Sequence, residues 1–229
     1  MMEAIVLAGG FGTRLRQVVA DVPKPMAPIA GRPFLEILLG SLAKKGFSRA
    51  VLSLGFMAEK ISGHFGSRFA GLDIAYVVED TPLGTGGATR LAAEACTQDH
   101  VYVFNGDTYL DLEVELLEQQ WQVRRHPIVV GRQVSDTARY GRLVVDGDRI
   151  TSFEEKGITG QGLINAGCYV LSRDALARFP LNQAFSIETD YLVPEVAREM
   201  VEVFVTKGVF IDIGIPADYA RAQTLLADL

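Results

Sequence analysis

The chain has few of the residues on which most covalent and metal chemistry depends. Its two cysteines, Cys96 and Cys168, lie far apart among small or apolar neighbours (Ala95, Gly167, Tyr169). That pattern reads as two reduced, buried thiols, not as a disulfide framework or a cysteine nucleophile. His64, His100 and His126 are scattered with no ligand spacing, which argues against a histidine zinc site. No apolar run approaches the roughly 18 residues that a membrane-spanning helix needs. Met1 to Leu7 has no basic segment and breaks at once into glycines, so it does not read as a signal peptide. Basic residues are outnumbered, 22 against 28, for a net charge of −6. A protein that neutralises a nucleic-acid backbone is not expected from that balance. These absences together point to a cytoplasmic protein with neither a membrane nor a nucleic acid as partner. The sequence leaves a homo-oligomer open.

What remains is a foldable chain of 229 residues, 48% hydrophobic and 22% charged. Glycine is in excess: 23 residues, about one in ten against a usual ~7%. The glycines form neither a repeat nor a linker; they cluster.

The first half alternates strands and helices. Ala4 to Ala8 is a short apolar run, as a strand buried on both faces requires. A helix is predicted from Pro33 to Gly46, with Pro33 in its first turn and Gly46 at its stop. Strands follow at Ala50–Leu54, Ile74–Val78 and Val101–Phe104, with helices at Ala58–Phe65, Gly87–Ala95 and Val114–Val123. After Pro127 the texture changes to short strands at Ile128–Val130, Arg142–Val145, Arg149–Phe153 and Leu163–Leu171. Asp146-Gly147-Asp148 is a hairpin signal. Helical stretches are predicted at Asp174–Phe179 and Thr189–Met200, strands at Val201–Val205 and Val209–Ile211, and a final helix from about Pro216. The expectation is one α/β domain: a Rossmann-like, doubly wound mixed sheet, mostly parallel, with a partly antiparallel second half. Its first part, about 1–126, alternates strands and helices, and its second, about 127–229, is rich in short strands.

Five clusters carry candidate chemistry. Leu7-Ala8-Gly9-Gly10-Phe11-Gly12-Thr13-Arg14-Leu15 follows a buried strand directly. Glycines there let backbone N–H groups approach a phosphate or ribose. It is neither a P-loop nor a dinucleotide fingerprint, because Leu15 stands where the third glycine should be. Pro23-Lys24-Pro25-Met26 holds a lysine on a stiff, extended stretch. Pro82 to Gly87 is a second glycine turn opening a helix at a carboxyl edge, where open α/β sheets bind ligands. Asn105-Gly106-Asp107 sets a carboxylate at a strand's end, and Asp212 lies between apolar residues where an unpaired charge is costly. Taken singly, each also fits a tight packing turn, a helix cap or a solvated loop. Together they favour metal-assisted phosphoryl chemistry.

The combination resembles the sugar-1-phosphate nucleotidyltransferases over essentially the whole chain. The matching pieces are Leu-Ala-Gly-Gly-x-Gly-Thr-Arg-Leu at 7–15, Pro-Lys-Pro at 23–25, Gly-Thr-Gly-Gly at 84–87, Asn-Gly-Asp at 105–107, Glu-Glu-Lys at 154–156 and Asp-Ile-Gly at 212–214. Asn165-Ala166-Gly167 departs from the family's usual Asn-Gly-Gly or Asn-Thr-Gly, and the chain leaves no room for the C-terminal β-helix of many relatives. Within the family, residues 21–28, 152–156 with 162–167, and 210–219 look most like the members that use GTP and D-glycero-D-manno-heptose 1-phosphate. Uridylyltransferases of N-acetylmuramate 1-phosphate and nucleotidyltransferases of mannose or glucose 1-phosphate remain as alternatives. So does a non-catalytic subunit that senses a nucleotide sugar.

The resemblance implies NTP plus sugar 1-phosphate giving NDP-sugar and pyrophosphate, with Mg²⁺ as cofactor. It places Leu7, Ala8, Gly9, Gly10, Gly12 and Thr13 around the nucleotide, and Arg14 and Lys24 on its phosphates. It adds Thr85 to the nucleotide-binding residues, and Glu79 and Gly84 fall where the base is read; a carboxylate at 79 suits the two donors of guanine. It makes about 1–126 the nucleotide-binding half and about 127–229 the sugar-binding half. Asp107 and Asp212 would hold the metal, Lys156 the sugar phosphate, and Asn105, Gly141, Glu155 and Asn165 the sugar.

Overall fold

Ala4, Ile5 and Val6 are fully buried, and the reason is the position of their strand. The computed structural model describes every residue except 11, 13, 14, 16–18, 20, 155 and 199. Among the described residues, the first half contains β1 (Met2–Leu7), β2 (Pro28–Ile29), β3 (Arg32–Pro33), α1 (Phe34–Lys44), β4 (Phe47–Leu54), α2 (Ala58–Phe65), β5 (Arg68–Phe69), β6 (Leu72–Val78), α3 (Gly84–Ala93), β7 (His100–Asn105), β8 (Thr108–Leu110) and α4 (Val114–Arg124). The second half contains β9 (Ile128–Val134), β10 (Arg142–Asp146), β11 (Arg149–Glu154), β12 (Gly162–Ser172), α5 (Val193–Val196), β13 (Glu202–Thr206), β14 (Phe210–Asp212) and α6 (Pro216–Leu225).

β1 runs between β4 and β7, parallel to both. Its side chains alternate between two cores. Ala4 and Val6 join α1, α2 and Trp121 on one face, while Ile5 joins Val51, Val103 and α3 on the other. A third, smaller cluster around Phe34, Tyr109, Ile211 and Ala222 docks α6 beside the sheet.

The sheet is less parallel than the sequence suggests. Among the described residues ten strands join in the order β10-β11-β13-β9-β12-β7-β1-β4-β6-β5. β7-β1-β4-β6 and β13-β9 are parallel, and the other neighbours are antiparallel. β12 lies antiparallel to both β9 and β7. β10 also pairs with β12 through Arg142 and Ile164, which curls β9 to β13 into a small barrel.

Three local expectations are corrected. Residues 174–179 form successive turns, with Ala175, Ala177 and Phe179 each bonded three residues back, and no helix. The helix expected over 189–200 is a π-helical turn, Ile187–Leu192, and four residues of α5; Pro194 has no N–H to extend an α ladder. Lys24 lies not on extended chain but in a 3₁₀ turn, Lys24–Met26, closed by Ala27 N–H on the Lys24 carbonyl at 3.0 Å.

β8 and β14 form a separate antiparallel pair that sets Asp212 opposite Thr108. The pair is fastened at its far end, where Asp111 N–H donates to the Val209 carbonyl at 2.8 Å. Gly208 fits there only because it lacks a side chain: a Cβ would lie 1.7 Å from the Asp111 carbonyl oxygen. Gly208→Ala should therefore force β14 off β8 and cost about 1–3 kcal/mol, a melting-point drop of roughly 3–10 °C in thermal denaturation followed by circular dichroism. An unchanged melting point would show that this pair does not need the close approach.

Candidate active site

The loop after β1, the residues after β6 and β7, and the start of α3 line a cleft of about 410 Å³ at one end of the parallel strands. It gathers Leu7, Ala8, Gly9, Gly10, Gly12, Lys24, Glu79, Gly84, Thr85, Asn105 and Asp107. A second cavity, about 1140 Å³, opens over the barrel and takes in Gly141, Lys156, Asn165 and Asp212. Asn105 lines both. Thr13, Arg14 and Glu155 lie outside the described residues.

The glycine loop passes between a carboxylate and an ammonium. A Cβ on Gly9 would sit 2.6 Å from Glu79 Oε1, so that carboxylate rests directly on the backbone. Gly12 has φ +58°, and a Cβ there would meet Lys24 Cβ at 2.8 Å. Gly10 differs: among the described residues a Cβ would meet nothing within 4 Å. Packing against the described residues does not require glycine at 10, and the backbone there lines the cleft.

Lys24 is the electrostatic centre. Its side chain is 10% exposed, and its Nζ is paired with Asp107 Oδ2 and stands 3.9 Å from Asp212 Oδ1. The two acids are 105 positions apart in sequence. The β8–β14 pair brings them together, and Ile213 N–H closes the gap by donating to the Asp107 carbonyl at 3.0 Å. Burial and repulsion from Asp107 raise the Asp212 pKa, against the pull of Lys24 and of the Gly214 N–H. That N–H donates to Oδ1 at 2.6 Å. Two carboxylates thus share one buried ammonium, which leaves the cluster an excess of negative charge.

Glu79 Oε2 accepts the Leu83 N–H at 3.0 Å, and burial raises the acid's pKa. Thr85, grouped by sequence with the nucleotide-binding residues, turns its hydroxyl to Glu188 at 3.1 Å and accepts the Ile187 N–H at 3.0 Å. In the second cavity Asn165 N–H donates to the Gly141 carbonyl at 3.1 Å. Its side chain is held by Tyr169 and by the Gly167 N–H.

Sequence reasoning missed Arg139, Tyr169 and Glu188, all of which line that cavity. Arg139 pairs with the buried Asp218 at the start of α6 and lies 5.4 Å from the Tyr140 ring. A signal existed for Glu188, an acid set between the buried Ile187 and Tyr191. Nothing in the sequence singled out Arg139 among many exposed arginines.

Cys96 and Cys168 are free and buried. Burial pushes the Cys96 thiol up to about 12 and raises that of Cys168 further, so neither offers a thiolate. Among the described residues no group of three or more His, Cys, Asp or Glu side chains could hold a metal. Nor is any helix among them long and apolar enough to cross a membrane.

The chain is 38% identical to the D-glycero-alpha-D-manno-heptose 1-phosphate guanylyltransferase of Aneurinibacillus thermoaerophilus, over 97% of each chain. It is 39% identical to the protein of the same name from Campylobacter jejuni, over 95% of this chain and 97% of that one. The crystal structure of HddC from Yersinia pseudotuberculosis superposes with a TM-score of 0.88 at 38% identity, covering 97% of this chain and 98% of that one; the same protein is also solved complexed with GMP-PN. The Nucleotidyl transferase family profile matches residues 3–228, and the chain belongs to that family.

Proposed function

We propose that the protein transfers guanylyl from GTP to D-glycero-D-manno-heptose 1-phosphate, releasing pyrophosphate and GDP-heptose. The observation that carries the class of reaction is Lys24 set between Asp107 and Asp212 where two cavities meet. One cavity is glycine-lined, as a nucleotide requires; the other is larger and edged by Lys156 and Asn165. The two named relatives and the structure solved with GMP-PN support guanine and heptose. Glu79 supports guanine from within this chain. Its carboxylate can accept from both guanine N1–H and N2–H₂, a pair of donors that adenine lacks.

In this reading the sugar phosphate oxygen attacks the α-phosphorus of GTP and pyrophosphate leaves in line. The nucleophile is already an anion, so no general base is needed. Positioning and charge neutralisation supply the acceleration. Lys24, paired with Asp107 before substrate arrives, moves its ammonium toward the incoming phosphates. Arg14 and Thr13 hold the outer phosphates, Lys156 the sugar phosphate, and Glu155 and Asn165 the sugar hydroxyls. The backbone at Gly10 approaches the nucleotide without an intervening side chain.

The donor set suits Mg²⁺. Both acids offer only oxygen, and their shared charge exceeds what Lys24 balances. Mg²⁺ is commonly held by one or two carboxylates plus substrate phosphates, so a pair is enough. Asp107 and Asp212 would hold the ion, which when bound neutralises phosphate charge.

Asp107→Asn and Asp212→Asn each lower kcat by roughly 10²–10³-fold in a pyrophosphate-release assay. Asp212→Asn also melts at or above the wild-type temperature at pH 7. The folded-state pKa of Asp212 is raised, so ionising it costs stability as pH rises, and the neutral amide removes that cost. Near-normal release by both variants would sink the metal assignment, and a much lower melting point for Asp212→Asn the charge argument. Lys24→Ala cripples turnover to a similar degree, and unchanged kinetics would dismiss its phosphate role. Finally, a panel of the four NTPs with several sugar 1-phosphates shows GTP and the heptose consumed fastest. Glu79→Gln then raises the KM for GTP about tenfold; no heptose preference, or an unmoved KM, counts against the corresponding assignment.

A further inference from the structure

Glu188 stands on the turn before α5 and belongs to none of the motifs that point to the site. Its carboxylate lies beside the second cavity, and hydroxyl groups from three parts of the chain converge on it. Tyr169 on β12 donates to Oε1 at 2.6 Å. Ser186 and Thr85 donate to Oε2 at 2.9 and 3.1 Å. Thr85 is in the first turn of α3 and lines the nucleotide-side cleft. It also accepts the Ile187 N–H at 3.0 Å, so the turn and the helix are joined twice.

The direction of these bonds has a consequence for Asn165. An ionised carboxylate only accepts, so the single O–H proton of Tyr169 is committed to Glu188. Burial, reinforced by the Glu188 charge, raises the Tyr169 pKa well above its ordinary value and keeps that proton in place. The phenol oxygen is then left to accept, and Asn165 Nδ2 donates to it at 2.9 Å. Asn165 Oδ1 meanwhile accepts the Gly167 N–H at 3.0 Å. Turning the amide over would set Oδ1 against an oxygen with no proton to give, and Nδ2 against a backbone donor. The negative charge on Glu188 therefore fixes, through Tyr169, which way Asn165 faces. One Nδ2–H of Asn165 remains for the cavity that it lines.

We infer that Glu188 is a positioning residue for the sugar 1-phosphate: through Tyr169 it presents Asn165 as an N–H donor to a sugar oxygen, and through Thr85 it ties that donor to the nucleotide-side helix. The inference rests on the guanylyltransferase reading above and names a residue that acts at its sugar side. Steady-state kinetics with GTP, Mg²⁺ and D-glycero-D-manno-heptose 1-phosphate test it on Glu188→Gln, Thr85→Val and the double variant, each first checked by thermal melting. Glu188→Gln raises the KM for the sugar 1-phosphate about tenfold, with kcat and the KM for GTP within about threefold of wild type. Thr85→Val raises the same sugar KM although it stands in the other cleft, and the double variant is no worse than Glu188→Gln alone. Should Glu188→Gln fail to fold, Tyr169→Phe cuts the same chain of bonds and shows the same sugar-selective change. A sugar KM within twofold of wild type overturns the inference, as does a parallel rise in both KM values, which a merely loosened fold would give. A wild-type protein that turns over no sugar 1-phosphate with GTP removes the guanylyltransferase reading, and this inference with it.

Discussion

Two carboxylates and one ammonium, drawn together from three distant parts of the chain, are the constraint around which the site is organised. Neither acid would hold the other at close range unaided. Asp212 has its pKa raised by burial and by Asp107, and Lys24, the Gly214 N–H and Arg139 offset part of that cost. The arrangement persists because the backbone imposes it. The β8–β14 pair sets Asp212 opposite Thr108, and Gly208 lets the strands approach at their far end. The fold thus holds excess negative charge where a cation and phosphates are proposed to meet, a common compromise between stability and function.

The two halves of the sheet divide the work by strand direction. Parallel strands β7-β1-β4-β6 end together, and loops leaving their carboxyl ends form the glycine-lined cleft. Beyond β7 the antiparallel β12 turns the sheet into a small barrel whose opening is the larger cavity. Asn105, at the end of β7, stands where the two regimes meet and lines both spaces. Contacts that cross this boundary, Lys24 with Asp212 and Thr85 with Glu188, can make the placement of one substrate depend on the other.

Glycine serves opposite purposes along the nucleotide loop. At 9 and 12 the absence of a side chain makes room for the protein's own groups, Glu79 and Lys24. At 10 no atom of the described residues competes for the space. A glycine count cannot separate these cases, because the distinction lies in what approaches from elsewhere in the chain.

Local chemistry in the sequence determined a good deal. Apolar runs and helix stops located β1, α1, α2, α4 and α6 closely, because burial and capping act over a few residues. The motifs marked Lys24, Glu79, Asp107, Lys156, Asn165 and Asp212, which the structure gathers along two adjoining cavities. Sequence periodicity did not give strand direction beyond β7, since a strand's side-chain pattern is the same either way. It also misjudged residues 189–200, where Pro194 and packing against α3 override helical spacing. Only the tertiary structure decided that Asp107 and Asp212 share Lys24, that Arg139 pairs with Asp218, and that Glu188, Tyr169 and Asn165 are hydrogen-bonded in series. The first two join groups far apart in the chain, and all three depend on how strands, turns and helices are set against one another and not on any local preference.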